Sequence, residues 1–292
     1  MKDGFYTALA TPFDKNGKLC EKSYVKLIED QITAGAAGFL SMGSMGLLGC
    51  VPESEYERII GVACEAVNGR ANLFVGATDN SIARVRDKME KVNKHPVDGV
   101  VLTAPYYLSP PVGELAQFFC CCAEMTDKDF FLYDHPSTTQ IKLTLPLVLE
   151  LCGKIKTLRG IKCGDVKLVR GLLENNEIRS DFLPVLGGID MYIFAHAYGV
   201  RNYMDGLFCC FPATIKRIQD SLDSGREPDA WLGIADMLAA RDEMVDHGLW
   251  PVFTSAMELL GYEGQYAPDY TPVATETHKD IARIILNKLG EL

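Results

Sequence analysis

The chain contains the run LRGIKCG at residues 158–164, a mostly apolar stretch between two segments with helical periodicity. Such a run is typical of a strand buried on both faces, as in a parallel sheet covered by helices. It includes Lys162, whose burial is costly unless its charge is managed, and desolvation can release the proton near neutral pH. The free amine can attack a ketone and form a Schiff base. Alternatively, the side chain reaches solvent or pairs with a carboxylate such as Asp165.

Seven further strand-like runs occur along the chain, and helix-like segments lie between them. We place the eight strands near residues 5–12, 38–43, 73–78, 99–104, 130–134, 158–163, 182–187 and 203–209. Eight strands spaced roughly 20–35 residues apart predict an α/β fold of the (β/α)8 type, a TIM barrel. The alternative is a doubly wound open sheet, which usually has fewer strands and a glycine-rich first turn. Here the run ATPF (10–13), which contains no glycine, occupies the position of that turn.

The alternation of strands and helices stops near Ser221, and helix-like segments follow at residues 229–245, 252–260 and 276–289. We therefore predict two regions. Residues 1–221 form the barrel with the active site, and residues 222–292 form a C-terminal helical extension packed on it. The run SGREP (224–228) connects them.

Composition restricts the class of function. The formal net charge of −10 argues against binding to nucleic acid or to an anionic membrane, because both need a basic face. We expect neither a signal peptide nor a membrane span. The ten cysteines include adjacent residues and no C-x-x-C pair, so neither disulfides nor a zinc site is predicted. The histidines form no metal-ligand pattern. The expected location is the cytoplasm.

Polar motifs cluster where a TIM barrel has its active site, at the C-terminal ends of the strands. They are GSMG (43–46) after the second strand, PYY (105–107) after the fourth, YDHP (133–136) after the fifth, Lys162 in the sixth and GGID (187–190) after the seventh. The hydroxyl and backbone N–H groups of GSMG can hold a carboxylate, and phenols can relay protons. Each motif alone could be a turn or a packing residue, but together they indicate an enzyme.

The chain resembles the pyruvate-dependent class I aldolases typified by dihydrodipicolinate synthase and N-acetylneuraminate lyase. The resemblance covers nearly the whole length, and its motifs are G-[ST]-x-G, P-Y-Y, Y-[ND]-x-P and G-[IV]-K in the positions just described. It implies a lyase that forms a Schiff base with pyruvate or a pyruvate-derived 2-keto acid, without a metal or organic cofactor. It also implies a homotetramer, built as a dimer of dimers.

The resemblance implies roles for the matching residues. Lys162 would form the Schiff base, and Tyr133 would carry protons to and from the reacting centre. Ser44 and the backbone N–H of Met45 would hold the pyruvyl carboxylate. Tyr107 matches a tyrosine that, in several members, reaches a neighbouring subunit's site and continues the proton relay.

Three further residues are candidate substrate contacts. His135 could contact an aldehyde partner, although a structural hydrogen bond fits about as well. At Gly188 the backbone can approach a ligand closely. Thr138 lies in STT (137–139), which aligns with a segment that in the synthase carries an arginine for the carboxylate of aspartate semialdehyde.

Departures from the family pattern argue against the substrates of its best-known members. The usual G-T-T-G-E is GSMGL (43–47), the synthase arginine is missing, and CGD (163–165) replaces the hydroxyl residue often found just beyond the lysine in the lyase. The sequence therefore predicts aldol addition or cleavage with an unassigned partner. A dehydratase acting on a sugar-derived 2-keto acid and a catalytically silent keto-acid-binding barrel are the alternatives.

Overall fold

The computed structural model describes residues 1–176 and 178–292. Eight parallel strands follow one another in the order β1 to β8 and close into a barrel, which confirms the predicted (β/α)8 fold. The strands are β1 (Gly4–Ala8), β2 (Gly38–Ser41), β3 (Asn72–Gly76), β4 (Gly99–Thr103), β5 (Asp129–Asp134), β6 (Leu158–Cys163), β7 (Leu183–Gly187) and β8 (Asn202–Asp205).

Twelve helices are present in the described residues. They are α1 (Glu21–Thr33), α2 (Glu53–Val67), α3 (Ile82–Val92), α4 (Val112–Ala123), α5 (Pro136–Thr139), α6 (Leu145–Lys154), α7 (Val166–Leu173), α8 (Tyr192–Ala197), α9 (Pro212–Asp223), α10 (Glu227–Asp246), α11 (Leu249–Leu259) and α12 (Glu276–Leu289). The last three confirm the predicted C-terminal helices to within three residues at each end. None of the described helices is long and apolar enough to cross a membrane.

The described chain forms two compact units, one made of Met1–Asn72 with Asp205–Leu292 and the other of Leu73–Met204. The predicted division at residue 221 is based on where the alternation of strands and helices stops, not on compactness, and it stays a prediction. In the second unit, β4 to β7 pair in parallel, and the register places Lys162 between Tyr133 on β5 and Val185 on β7. A Cβ atom at Gly160 would lie 2.1 Å from the carbonyl oxygen of Leu183, so the approach of β6 to β7 requires glycine there.

The first and eighth strands end four residues earlier than predicted: β1 ends at Ala8 and not at residue 12, and β8 ends at Asp205 and not at residue 209. The Asp205 side chain accepts a hydrogen bond from the N–H of Leu207 at 2.8 Å. This bond turns the chain into a short 3₁₀ segment over Leu207–Cys209. The apolar run continues through the turn, which is why hydrophobicity alone overestimates the strand.

Candidate active site

Lys162 lies on β6 with 6% of its surface exposed. Its side chain runs over Gly187 at the end of β7, where an added Cβ atom would lie 3.1 Å from Cε and 3.4 Å from Cγ of the lysine. Glycine therefore leaves the space that the lysine occupies. Asp165, the carboxylate suggested as an alternative partner, instead accepts the N–H groups of Lys167 and Leu168 at the start of α7.

Tyr133 is the register partner of Lys162 on the adjacent strand β5. Its ring is buried, and the Nζ atom of Lys162 lies 4.3 Å from the ring centroid. An ammonium at this distance from a ring face is attracted by the π-electrons, and an amine there can exchange protons with neighbouring groups. The structure thus brings together the two residues to which the family resemblance assigns the central chemistry.

His135 stacks on Tyr133, with the ring centroids 5.0 Å apart and the planes within 9°. Burial lowers the pKa of His135, the positive charge of Lys162 lowers it further, and Asp134 acts in the opposite direction. The imidazole is therefore neutral near pH 7. Its Nδ1 lies 3.3 Å from Oγ of Ser137.

Thr138 lies in the segment that follows β5, and Gly188 lies in the segment that follows β7. Thr138 is exposed on the short helix α5, and its N–H donates to the carbonyl of His135. Gly188 has a φ of +91° just after β7, a conformation that other residues rarely adopt.

Tyr107 follows β4 and is 83% exposed. The backbone N–H groups of Tyr106 and Tyr107 both donate to Oδ1 of Asn80, each at 2.9 Å. Asn80 thus holds the loop by two hydrogen bonds to one oxygen. Sequence reasoning missed it, because a single asparagine in a loop gives no periodic or motif signal.

Ser44 and Met45 belong to the other compact unit, in the turn after β2. Ser44 is exposed, whereas Met45 is half-buried against Gly206, where a Cβ atom would lie 1.8 Å from its Cγ. A hydrogen bond from Oγ1 of Thr11 to the carbonyl of Gly46, at 2.9 Å, stabilises the turn. Gly206 was also missed, and it is required for the position of Met45.

A family model described as "Dihydrodipicolinate synthetase family" matches residues 1–288. The chain belongs to this family. The curated 4-hydroxy-tetrahydrodipicolinate synthase of Bartonella henselae is 30% identical over 187 residues, which cover 64% of this chain and 64% of that protein. The matched region thus spans less than two thirds of this relative.

Two solved structures share the fold of this family member. Dihydrodipicolinate synthase from Thermotoga maritima has a TM-score of 0.90 at 23% identity, with complete coverage of both chains. YagE, a prophage protein from E. coli K12 that belongs to the dihydrodipicolinic acid synthase family and was solved with pyruvate, has a TM-score of 0.89 at 20% identity, covering 99% of each chain.

The thiol of Cys163, the residue after Lys162, is poorly suited to act as a nucleophile. Burial raises the pKa of Cys163 to about 12, and only the thiolate is strongly nucleophilic. Among residues 1–176 and 178–292, no group of three His, Cys, Asp or Glu side chains could hold a metal ion. Around β5 and β6, Lys162, Tyr133 and His135 supply an amine, a phenol and an imidazole.

Proposed function

We propose that this protein is a lyase that forms a Schiff base between Lys162 and pyruvate or a pyruvate-derived 2-keto acid. The observation that carries the proposal is the buried amine of Lys162, 4.3 Å from the centroid of the Tyr133 ring. Membership of the dihydrodipicolinate synthetase family supports it. No metal or organic cofactor takes part in the proposed reaction.

The proposed reaction proceeds through an imine. The neutral amine of Lys162 attacks the keto carbon to give a carbinolamine, which takes up one proton and loses water to leave an iminium ion. The iminium withdraws electrons, so the adjacent carbon can lose a proton and become an enamine. The enamine adds to an aldehyde, and water then releases the product and restores the amine; the reverse sequence cleaves a 2-keto acid. Tyr133 is the proposed proton carrier.

The remaining site residues have proposed roles in binding. Ser44 and the N–H of Met45 bind the pyruvyl carboxylate, and Gly188 and His135 contact the rest of the substrate. Thr138 occupies the segment where the synthase has its arginine. Without a guanidinium there, a partner with a carboxylate loses a bidentate contact worth roughly 1.5–3 kcal/mol. We therefore propose an aldehyde without a carboxylate as the partner.

Assembly and location are also proposals. We propose a homotetramer, a dimer of dimers in which Tyr107 of one subunit serves the site of the next. Tyr107, Leu108 and Val112 are exposed to solvent. Clusters of exposed large apolar side chains often mark protein–protein interfaces, which supports an interface at this loop. All ten cysteines are free thiols, which supports the reducing cytoplasm. Neither nucleic acid nor membrane is a proposed partner.

A substrate panel distinguishes the proposed aldolase from its alternatives. Sugar-derived 2-keto acids are incubated with the protein. Pyruvate release is followed with lactate dehydrogenase, and the molecular mass of the remaining compound is measured by mass spectrometry. Pyruvate release supports an aldolase. Loss of one water without pyruvate indicates the dehydratase. Binding with neither change in any compound indicates the silent barrel and contradicts the proposal.

A further inference from the structure

Lys142 forms two ion pairs that join the strand carrying Tyr133 to the loop after the strand carrying Lys162. Its ammonium donates a hydrogen bond to Oδ2 of Asp134, the last residue of β5. It also lies 3.0 Å from Oδ2 of Asp165, which precedes α7. One cation therefore connects the ends of β5 and β6.

The side chain of Asp134 is nearly inaccessible, with 1% exposed, whereas that of Lys142 is 39% exposed. The second oxygen of Asp134 accepts the N–H of Leu143 at 2.9 Å. Burial lowers the pKa of Lys142, but the hydrogen bonds and charges of the two carboxylates outweigh burial and raise it. Lys142 thus stays charged, and both carboxylates have a fixed partner.

The position of this bridge matters for the geometry of the amine. The register of β5 and β6 ends with the pairs Tyr133–Lys162 and Asp134–Cys163. Successive residues of a strand point to opposite faces, so Tyr133 and Lys162 share one face and Asp134 lies on the other. Beyond the last pair, β5 and β6 continue into separate segments of the chain. The bridge through Lys142 joins them at this point, starting one residue after Tyr133.

We propose that Lys142 is a positioning residue that fixes the ends of β5 and β6 and thereby the placement of the Lys162 amine against Tyr133. Its partner Asp134 lies on the face of β5 opposite to Tyr133, so we infer that Lys142 acts through the strands. The inference rests on the proposed Schiff-base function for its effect on rate, but its effect on the strand ends is independent of that function.

The first test uses K142M, K142R and the double variant D134N/K142M. The double variant removes the buried carboxylate charge that K142M leaves uncompensated, so it keeps the test valid if K142M fails to fold. K154M is the matched control, because Lys154 forms an exposed ion pair with Glu150 within α6. The readouts are the rate of pyruvate adduct formation trapped by borohydride, the pyruvate concentration for half-maximal rate, and hydrogen exchange of the amides at residues 131–134 and 160–163.

We expect the folded variants that lack Lys142 to form the adduct about 10- to 100-fold more slowly, because a displacement near 1 Å can cost that much. The half-maximal concentration should stay within about threefold, since the carboxylate site is unchanged. K142R should restore the rate, and K154M should leave it unaltered. Hydrogen exchange of the named amides should rise about tenfold or more in the slow variants only.

Unchanged exchange at these amides in a folded variant without Lys142 would overturn the inference, whatever the activity of the wild type. An adduct rate equal to the wild type in that variant, or a K142R variant as slow as K142M, would also overturn it. If the wild type forms no adduct with any keto acid, the proposed function fails. Hydrogen exchange then still decides whether Lys142 holds the strand ends.

Discussion

The Nζ atom of Lys162 lies 4.3 Å from the centroid of the Tyr133 ring, and the two residues are opposite each other in the register of β5 and β6. The parallel pairing of β5 with β6 therefore brings the amine close to the Tyr133 ring. The close approach of Lys162 to Gly187 on β7 limits the movement of the amine on its other side. The position of the proposed nucleophile thus follows from three neighbouring strands.

Replacing Tyr133 with phenylalanine should remove proton transfer and keep most of the ring packing. We expect turnover to fall by about 10²- to 10⁴-fold, the usual contribution of a positioned general acid or base. Affinity for pyruvate, measured by calorimetry, should change little. Equal turnover of Tyr133→Phe and wild type would show that Tyr133 does not carry the proton.

Gly187→Ala should disturb the amine directly. The added Cβ atom would lie 3.1 Å from Cε of Lys162, so the lysine must shift by a few tenths of an ångström. We expect adduct formation to slow by roughly tenfold, as measured by borohydride quenching at timed intervals. Gly153→Ala on α6 is the control, because its Cβ atom would meet nothing within 4 Å. An unimpaired Gly187→Ala variant would argue against close packing of the lysine on β7.

Asn80→Ala should loosen the loop that carries Tyr107. Two backbone N–H groups lose their shared acceptor, and each hydrogen bond contributes about 0.5–1.5 kcal/mol. We expect a faster cleavage of this loop by a nonspecific protease and a lower apparent oligomer stability in sedimentation experiments. Asn93→Ala, which affects a different loop near Met125, serves for comparison. Identical proteolysis of both variants and wild type would contradict the role of Asn80.

Because of Asp79, the free energy of unfolding should decrease as the pH falls into the acid range. Burial raises its pKa, but hydrogen bonds from Arg84 and Lys88 outweigh burial and bring it to about 2, against an ordinary value of 3.8. The stabilisation is therefore present above pH 4 and is lost as the pH falls toward 2, where the folded carboxylate is protonated too.

The corresponding experiment compares urea unfolding of wild type and Asp79→Asn between pH 6 and pH 2.5. We expect the variant to be less stable by about 2 kcal/mol at pH 6, and the difference to shrink below pH 4. A difference that does not depend on pH would show that the pKa of Asp79 is not depressed in the folded protein.

Much of the fold could be predicted from residue pattern, because eight apolar runs with helical segments between them leave few architectures. The predicted end of β8 was wrong, since the hydrogen bond from the N–H of Leu207 to the Asp205 side chain ends the strand inside an apolar run. The proximity of Lys162 and Tyr133 follows from the order of strands. The contributions of Asn80, Gly206 and Lys142 depend on loops that meet only in three dimensions, and no spacing in the chain predicts those contacts.

Borohydride trapping with pyruvate, followed by mass mapping of peptides, tests the central claim most directly. The account predicts one reduced pyruvyl adduct per chain, located on Lys162, and its loss in Lys162→Arg while the fold is retained. An adduct spread over exposed lysines, or none on Lys162 in a folded protein at any pH tested, would contradict pyruvate Schiff-base chemistry at this site.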